Sequence, residues 1–302
     1  MFIARTQKAA LVAALFLSGT LLSACGSSDR DASGDGNGTG RANVDAVTRE
    51  HVNDTMNANA GAGAGSARAV ISERMPYAEV GEELVYGYFV APSDMFEPLP
   101  AVIMIHEWKG LNDNIRAMAD RLAAEGYIVL AVDLYGGKTA KTSAEARELM
   151  LSVTEDPEAA NDNIRGAFEF VSATAGAPKV ASLGWRFGGT WALHAAMLFP
   201  DELDATVIYY AHVSADEDEL RPVNSPILGL YAGKDISIRA ASVEAFGAAL
   251  ERLRKDHEIH VYPGVSQTFA DPTSDNYDEA AATDAWGRML DFLDRHLSVD
   301  ES

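Results

Sequence analysis

From about residue 72 onward, short apolar runs alternate with amphipathic segments, and this order narrows the folds open to the chain. AVIMIH (101–106) is a continuous apolar run of strand length, typical of a parallel strand that is buried on both faces. The segment after it has its apolar residues at helical spacing, and Gly126 is expected to end the helix. Repetition of this pattern predicts an α/β protein with a mostly parallel central sheet and helices on both faces.

The remaining strands and helices follow in the same order. Strands are predicted in ELVYGYFVAP, YIVLAVDLYGG, KVASLGW, ATVIYY, PILGLYAG and HEIHVYPG. A long helix is expected to begin at Pro157, because proline is well tolerated in a first helical turn. In sheets of this kind functional groups gather where parallel strands end, so strand ends are the places to search for a site.

The N-terminus has the organisation of a secretory signal. A positive start (MFIARTQK) precedes an apolar run that is too short to cross a bilayer as a stable helix. The run ends in LSAC, which resembles a bacterial lipobox, and this resemblance implies cleavage before Cys25 and lipidation of Cys25. An ordinary signal peptide with a chance cysteine is the alternative. Gly26 follows Cys25, and a residue other than Asp at this position resembles the pattern of lipoproteins that are sorted to the outer membrane. We therefore expect a lipid-anchored protein of the bacterial cell envelope, on the periplasmic face of the outer membrane.

The segment between the signal and the first strand is rich in Gly, Ser, Asn, Asp and Ala. Such a segment lacks the apolar surface needed to offset its ordering entropy, so it is interpreted as a flexible tether. The predicted organisation is therefore a signal peptide over residues 1–24, a lipidated Cys25 with its linker over 25–71, and a folded domain over 72–302.

The charge and the cysteine count exclude some functions. The formal net charge is −21, with 45 acidic against 24 basic residues, so a nucleic-acid partner is not expected. Cys25 is the single cysteine of the chain. Once Cys25 carries lipid, no thiol remains for a disulfide or for catalysis, and the membrane is contacted through the N-terminal lipid only.

One motif has the setting of a catalytic nucleophile but not the usual residue. GWRFGG (184–189) lies between an apolar strand and a helical run, as a nucleophile elbow does. The middle residue of an elbow is normally Ser, Cys or Asp, whereas here it is Arg186.

Five motifs in this order resemble the dienelactone hydrolase family, small α/β-hydrolases that attack lactones and esters with a Cys–His–Asp triad. The motifs are IHEWKGLNDNIR, LAVDLYGG, GWRFGG, GLYAGKD and VYPGVSQTFADP. The resemblance covers roughly residues 75–297. It implies the α/β-hydrolase fold, hydrolysis of a small-molecule ester or lactone, and a reaction with no metal and no organic cofactor.

The resemblance also assigns roles to individual positions. Asp235 matches the acid of the triad, and Glu107 matches the glutamate that follows the first-strand histidine. The backbone N–H groups of Trp108 and Phe187 match the oxyanion donors. All four of these positions keep what the family pattern requires.

The two bond-making groups are missing. Arg186 stands at the nucleophile position, and a guanidinium has no lone pair with which to attack a carbonyl. Gln267 stands at the histidine position of YPGVSQTF, and a neutral amide cannot take up and return a proton near pH 7. The chain is therefore predicted to be an impaired or inactive member of the family.

Arg186 admits two roles. In the first, it pairs with Glu107, Asp235 or both and plugs the old site. In the second, it lies at a helix N-terminus with the two oxyanion donors and binds a small anion such as a carboxylate or a phosphate. Two acids against one arginine leave little net positive charge, which favours the plug.

Other functions stay open at the level of sequence. A displaced serine, Ser266 or Ser182, could act with a surviving histidine. A periplasmic scaffold that uses only its surface is a further alternative. His106 is interpreted as a structural histidine. His212 precedes the acidic run 216–219, which suggests a metal, but consecutive acids point in different directions, so a solvated loop is predicted and no metal is assigned.

Overall fold

The computed structural model describes residues 68–299. The predicted signal peptide, Cys25 and the linker as far as residue 67 lie outside the described residues. The first strand begins at Val70, two residues before the predicted start of the folded domain at residue 72. No helix within residues 68–299 combines the length and the apolar character that a membrane span requires.

The described residues form one eight-stranded sheet. Its strands are β1 (Val70–Val80), β2 (Glu83–Pro92), β3 (Ala101–Ile105), β4 (Ile128–Val132), β5 (Val180–Trp185), β6 (Ala205–Tyr209), β7 (Ile227–Ala232) and β8 (His257–Tyr262). Their order across the sheet is β1-β2-β4-β3-β5-β6-β7-β8. The six neighbouring strands β4, β3, β5, β6, β7 and β8 are all paired in parallel. Strand β2 is antiparallel to both of its neighbours, β1 and β4. The predicted α/β fold with a mostly parallel sheet is confirmed.

Helices cover both faces of the sheet. They are α1 (Asp113–Ala124), α2 (Ser143–Glu155), α3 (Pro157–Glu169), α4 (Phe187–Leu198), α5 (Glu217–Leu220), α6 (Ala240–Arg252) and α7 (Glu279–Leu297), and a π-helical turn (Phe170–Thr174) continues α3. One hydrophobic core cluster lies between the sheet and helices α1 and α7. The other lies between the opposite face of the sheet and helices α2, α3, α4 and α6. The buried strands supply both clusters, because successive side chains point to opposite faces of a sheet.

Local sequence explains where several helices begin and end. The side chain of Asn112 accepts a hydrogen bond from the N–H of Ile115 and caps α1. Thr142 and Glu145 form a reciprocal capping box at the start of α2. Pro157 occupies the first turn of α3, as predicted. Gly126 has a φ of 116°, a conformation that glycine adopts without strain, and it ends the turn after α1.

Two local features differ from the sequence-based expectation. β1 was not predicted, because most of it is exposed and its pairing with β2 shifts register between Pro76 and Ala78. The predicted solvated loop over 216–219 is wrong, since Glu217–Leu220 form the short helix α5. Asp216 caps this helix through its side chain, and acidic residues are favoured in a first helical turn.

Candidate active site

Arg186 lies at the turn between β5 and α4, in the backbone conformation of an elbow. Its φ is 53° and its ψ is −116°, and its N–H donates to the carbonyl of Tyr209 at 2.9 Å. The glycines on both sides permit close approach of the backbone: a Cβ on Gly188 would collide with the carbonyl of Ile105 and lie 2.5 Å from that of His106. The elbow is therefore pressed against the end of β3, next to the turn that follows it.

Backbone strain is concentrated around this elbow. Of the four non-glycine residues with positive φ in the described part of the chain, three are Arg186, Tyr210 at the end of β6, and Thr268 directly after Gln267. Each such residue costs on the order of 1–3 kcal/mol, and residues of this kind cluster at functional sites. The clustering of strained residues therefore indicates a functional site at this edge of the sheet.

The Arg186 side chain is enclosed. Only 2% of the residue is exposed, and its guanidinium carbon lies 5.3 Å from the centre of the Trp108 ring. Arg186, Glu107, Trp108 and Asp271 line the same cavity, whose volume is about 40 Å³. Because Glu107 is also buried, the cavity holds a cation and a carboxylate out of bulk water.

Asp235 lies in the turn after β7, and both of its carboxylate oxygens accept hydrogen bonds. Its Oδ2 accepts a hydrogen bond from Nε2 of Gln267 at 2.9 Å. Its Oδ1 accepts from the N–H groups of Ser237 and Ile238, both at 2.9 Å, and from Oγ of Ser237 at 3.2 Å. Asp235 forms no ion pair with any residue in 68–299, so the suggested pairing of Arg186 with Asp235 is wrong. The acid is held by local donors instead.

His106 is a structural residue. Its Nε2 accepts from the N–H of Leu134 at 3.1 Å, which places the proton on Nδ1, and Nδ1 donates to the carbonyl of Glu107 at 2.7 Å. Burial lowers the pKa of His106, so the ring is neutral near pH 7. The histidine thus fixes the turn that carries Glu107 and Trp108.

His212 faces the same region from the end of β6. Its Nε2 is buried and has no hydrogen-bond partner within residues 68–299. Burial lowers the pKa of His212, the charge of Asp235 raises it, and the charge of Arg186 lowers it further. The carbonyl of His212 accepts a hydrogen bond from Oγ1 of Thr190 at 2.8 Å, which ties this strand end to α4.

Tyr210 and Asn114 were missed by the sequence analysis. The hydroxyl of Tyr210 is fully buried and has no hydrogen-bond partner in the described residues, and the same holds for Oδ1 of Asn114. Burial, then the charges of Glu107 and Asp271, raise the pKa of Tyr210, and only Arg186 opposes them. The position of Tyr210 at a strand end was the one available signal.

The two candidate serines lie in different surroundings. Ser182 is fully buried inside β5, and its Oγ donates to the carbonyl of Ala192 at 2.9 Å. It also contacts Oγ1 of Thr206 at 3.3 Å, so Ser182 joins the sheet to α4 and has no access to a substrate. Ser266 precedes Gln267 and is half-buried. Within residues 68–299, no group of three His, Cys, Asp or Glu side chains is placed to hold a metal ion.

The parallel sheet, the strained elbow over a helix N-terminus and the acid after β7 together define the α/β-hydrolase class. The model of the dienelactone hydrolase family matches residues 85–297. The chain belongs to the dienelactone hydrolase family.

Relatives and a solved structure agree with this assignment. Two curated relatives carry the name "Putative carboxymethylenebutenolidase". The one from Saccharolobus solfataricus is 32% identical and covers 66% of this chain and 90% of its own, and the one from Escherichia coli K12 is 31% identical and covers 69% and 82%. A crystal structure titled "Putative Dienelactone Hydrolase", from Klebsiella pneumoniae, superposes with a TM-score of 0.66 at 27% identity, covering 74% of this chain and 98% of that one.

Proposed function

We propose that this chain is a dienelactone-hydrolase-family protein that has lost triad hydrolysis, with its old catalytic cleft sealed by Arg186. The observation that carries the proposal is the pair of substitutions in place: Arg186 is buried on the elbow, and Gln267 holds the acid Asp235. The family's reaction is ester or lactone hydrolysis, and the chain retains its scaffold without its nucleophile and base.

The chemistry supports a loss of several orders of magnitude in rate. A guanidinium at the elbow offers only N–H donors, so no acyl intermediate can form there. Nε2 of Gln267 donates to Asp235 and cannot accept a proton from an attacking group. Asp235, Glu107 and the N–H of Phe187, which begins α4 and has no acceptor within the helix, are then left without an attacking group to assist.

The size and charge of the cavity favour a plug over an anion site. Ligand pockets usually enclose about 300–1,000 Å³, whereas the cavity beside Arg186 measures about 40 Å³. Glu107 and Asp271 line the same cavity, and the charges of both raise the pKa of Tyr210, whereas the charge of Arg186 lowers it. A carboxylate or phosphate entering this cavity would meet two negative charges at close range.

The proposal includes a location. LSAC at residues 22–25 supports cleavage before Cys25 and anchoring of the protein by lipid to the outer membrane, on its periplasmic side. The Gly- and Ser-rich segment that follows would then separate the folded domain from the lipid surface.

A fluorophosphonate probe tests the loss of hydrolysis, because it labels serines that a neighbouring base activates. We expect no labelling of the full-length chain and clear labelling of a control that carries Arg186→Ser with Gln267→His. Labelling of the unaltered chain at Ser266 or Ser182 would contradict the proposal and support a displaced serine.

A ligand titration tests whether Arg186 closes the cleft to small anions. Acetate and inorganic phosphate are added to the full-length chain while tryptophan fluorescence is followed, since Trp108 lies beside Arg186. No saturable change is expected. A saturable change that disappears in Arg186→Ala would show that the cleft binds anions and is not plugged.

A further inference from the structure

A second and larger cavity lies on the side of the sheet covered by α2 and α3. We call it the hairpin cavity, because the end of the β1–β2 hairpin forms one wall and α2, α3 and the turn after β4 form the others. Its volume is about 290 Å³, and its apolar wall includes Val85, Leu134, Val153 and Ala160. It shares no lining residue with the cavity beside Arg186, so it is separate from the old catalytic cleft.

A buried carboxylate without a counter-ion lines this cavity. Asp133 follows β4 and is 5% exposed. Its Oδ1 accepts from the N–H of Tyr135 at 2.9 Å and its Oδ2 from the N–H of Gly137 at 2.6 Å, which fixes the group in place. No basic side chain in residues 68–299 forms an ion pair with it. Buried charges in proteins are normally paired, so an unpaired one at a cavity wall calls for a partner from outside the chain.

The other charged residues that line the cavity also favour a positively charged partner. Glu83 and Asp156 also line it, whereas Arg74 is its only basic residue. The guanidinium of Arg74 lies 4.0 Å from the centre of the Tyr86 ring and forms no ion pair within the described chain. Three carboxylates against one guanidinium give the lining a net negative charge. The charge of Asp133 is screened least by water, because Asp133 is buried.

We propose that the hairpin cavity binds a small organic cation, an ammonium group attached to an apolar alkyl or arylalkyl body. The ammonium donates charge-assisted hydrogen bonds to the carboxylate of Asp133, and the body packs against the apolar wall. The lining combines this apolar wall with polar and charged groups, so a ligand that is apolar at one end and cationic at the other matches both. The proposal does not depend on the state of Arg186 and Gln267, so the two can fail separately.

The first experiment is a calorimetric titration of the full-length chain with 2-phenylethylammonium chloride. The matched probes are 2-phenylethanol, which has the same body without the charge, and phenylacetate, which reverses the charge. The ammonium is expected to bind at least about tenfold more tightly than the alcohol, because a hydrogen bond to a charged group is worth more than a neutral one, and phenylacetate is expected not to bind. Equal binding of the three probes, or no binding of the ammonium, overturns the proposal.

Variants then locate the site. Asp133→Asn is expected to weaken ammonium binding about tenfold or more. Since this change also disturbs the two backbone contacts, Ala159→Leu provides a second variant that fills the cavity from α3 without touching Asp133, and it is expected to abolish binding. Arg74→Gln is expected to strengthen binding. Glu82→Gln, next to Glu83 but outside the cavity lining, is the matched control and is expected to leave binding unchanged. Ammonium binding that survives both Asp133→Asn and Ala159→Leu places the ligand elsewhere and overturns the proposal.

Discussion

At the scale of single residues, Gln267 contacts the acid Asp235 but offers no nitrogen that takes up a proton near pH 7. Its Nε2 donates to Asp235 at 2.9 Å, as an imidazole N–H does to the acid of a triad. An amide satisfies the half-buried carboxylate in this way but lacks the second nitrogen that would exchange a proton with a nucleophile. Gln267 therefore supports the turn after β7, and under the proposed function it does so without supplying a base.

This contact is expected to contribute measurably to stability. Gln267→Ala removes the donor to Asp235 Oδ2 and should lower the free energy of unfolding by about 1.5–3 kcal/mol, the range for hydrogen bonds to charged groups. Gln267→His is the matched control, because it can still donate to Asp235, and it should cost much less. Urea denaturation of the three proteins measures the difference. Equal stability of the alanine and histidine variants would show that the contact does not matter.

At the scale of elements, the β5–α4 elbow depends on the absence of side chains. A Cβ on Gly189 would lie 2.6 Å from Cβ of Ala211, and one on Gly188 would overlap the carbonyl of Ile105. These glycines let α4 start directly against the ends of β3 and β6, and this placement brings Arg186 beside Trp108. The same close approach would serve a smaller nucleophile at the position of Arg186.

The elbow can be tested with a pair of glycine substitutions. Gly188→Ala should destabilise the fold by about 3 kcal/mol or more, since the new methyl group meets rigid backbone. Gly287→Ala in α7 meets no heavy atom within 4 Å and should stabilise by about 0.5–1 kcal/mol through the lower entropy of the unfolded chain. Thermal unfolding of both variants gives the comparison. A neutral Gly188→Ala would contradict the packing of α4 described above.

Several elements could be predicted from the sequence because their signals are local. Continuous apolar runs indicated the buried strands, and the elbow motif indicated a strand, a turn and a helix around Arg186. β1 escaped because an exposed edge strand has no apolar run of its own. Tyr210 and Asn114 escaped as site residues because only the folded chain brings their polar atoms, distant in sequence, to the region of Arg186.

At the scale of the whole molecule, buried histidines couple the fold to pH. Burial lowers the pKa of His106, His194 and His212 below the ordinary value of 6.5. A neutral histidine is therefore favoured in the folded state, and the unfolded chain takes up protons first as the pH falls below 6.5. Because the unfolded state binds more protons there, the free energy of unfolding must decrease with falling pH in that window.

We expect the urea midpoint to be lower at pH 5.5 than at pH 7.5. His194→Gln should make this dependence shallower, because it removes one of the histidines whose pKa burial lowers and keeps a polar contact to Asn161, whose Oδ1 lies 2.8 Å from Nε2 of His194. Urea titrations at both pH values, with the unaltered chain as the reference, measure the slope. A midpoint that is unchanged or higher at pH 5.5 would contradict the burial of these neutral rings.

The described part of the molecule also contains two separate cavities of different size. The cavity beside Arg186 measures about 40 Å³ and the hairpin cavity about 290 Å³. The two cavities share no lining residue, so the proposed binding at the hairpin cavity and the proposed loss of hydrolysis at the elbow can be tested independently.

The most direct measurement of the central claim is the hydrolysis of p-nitrophenyl acetate by three full-length proteins. They are the unaltered chain, the variant with Arg186→Cys and Gln267→His, and that variant with Asp235→Asn added. We expect hydrolysis by the double variant only, at least about 10³-fold above the other two, since the triad acts as a unit. Substantial turnover by the unaltered chain, insensitive to Asp235→Asn, would contradict the loss of triad chemistry, and a folded but inactive double variant would contradict the retention of a working scaffold.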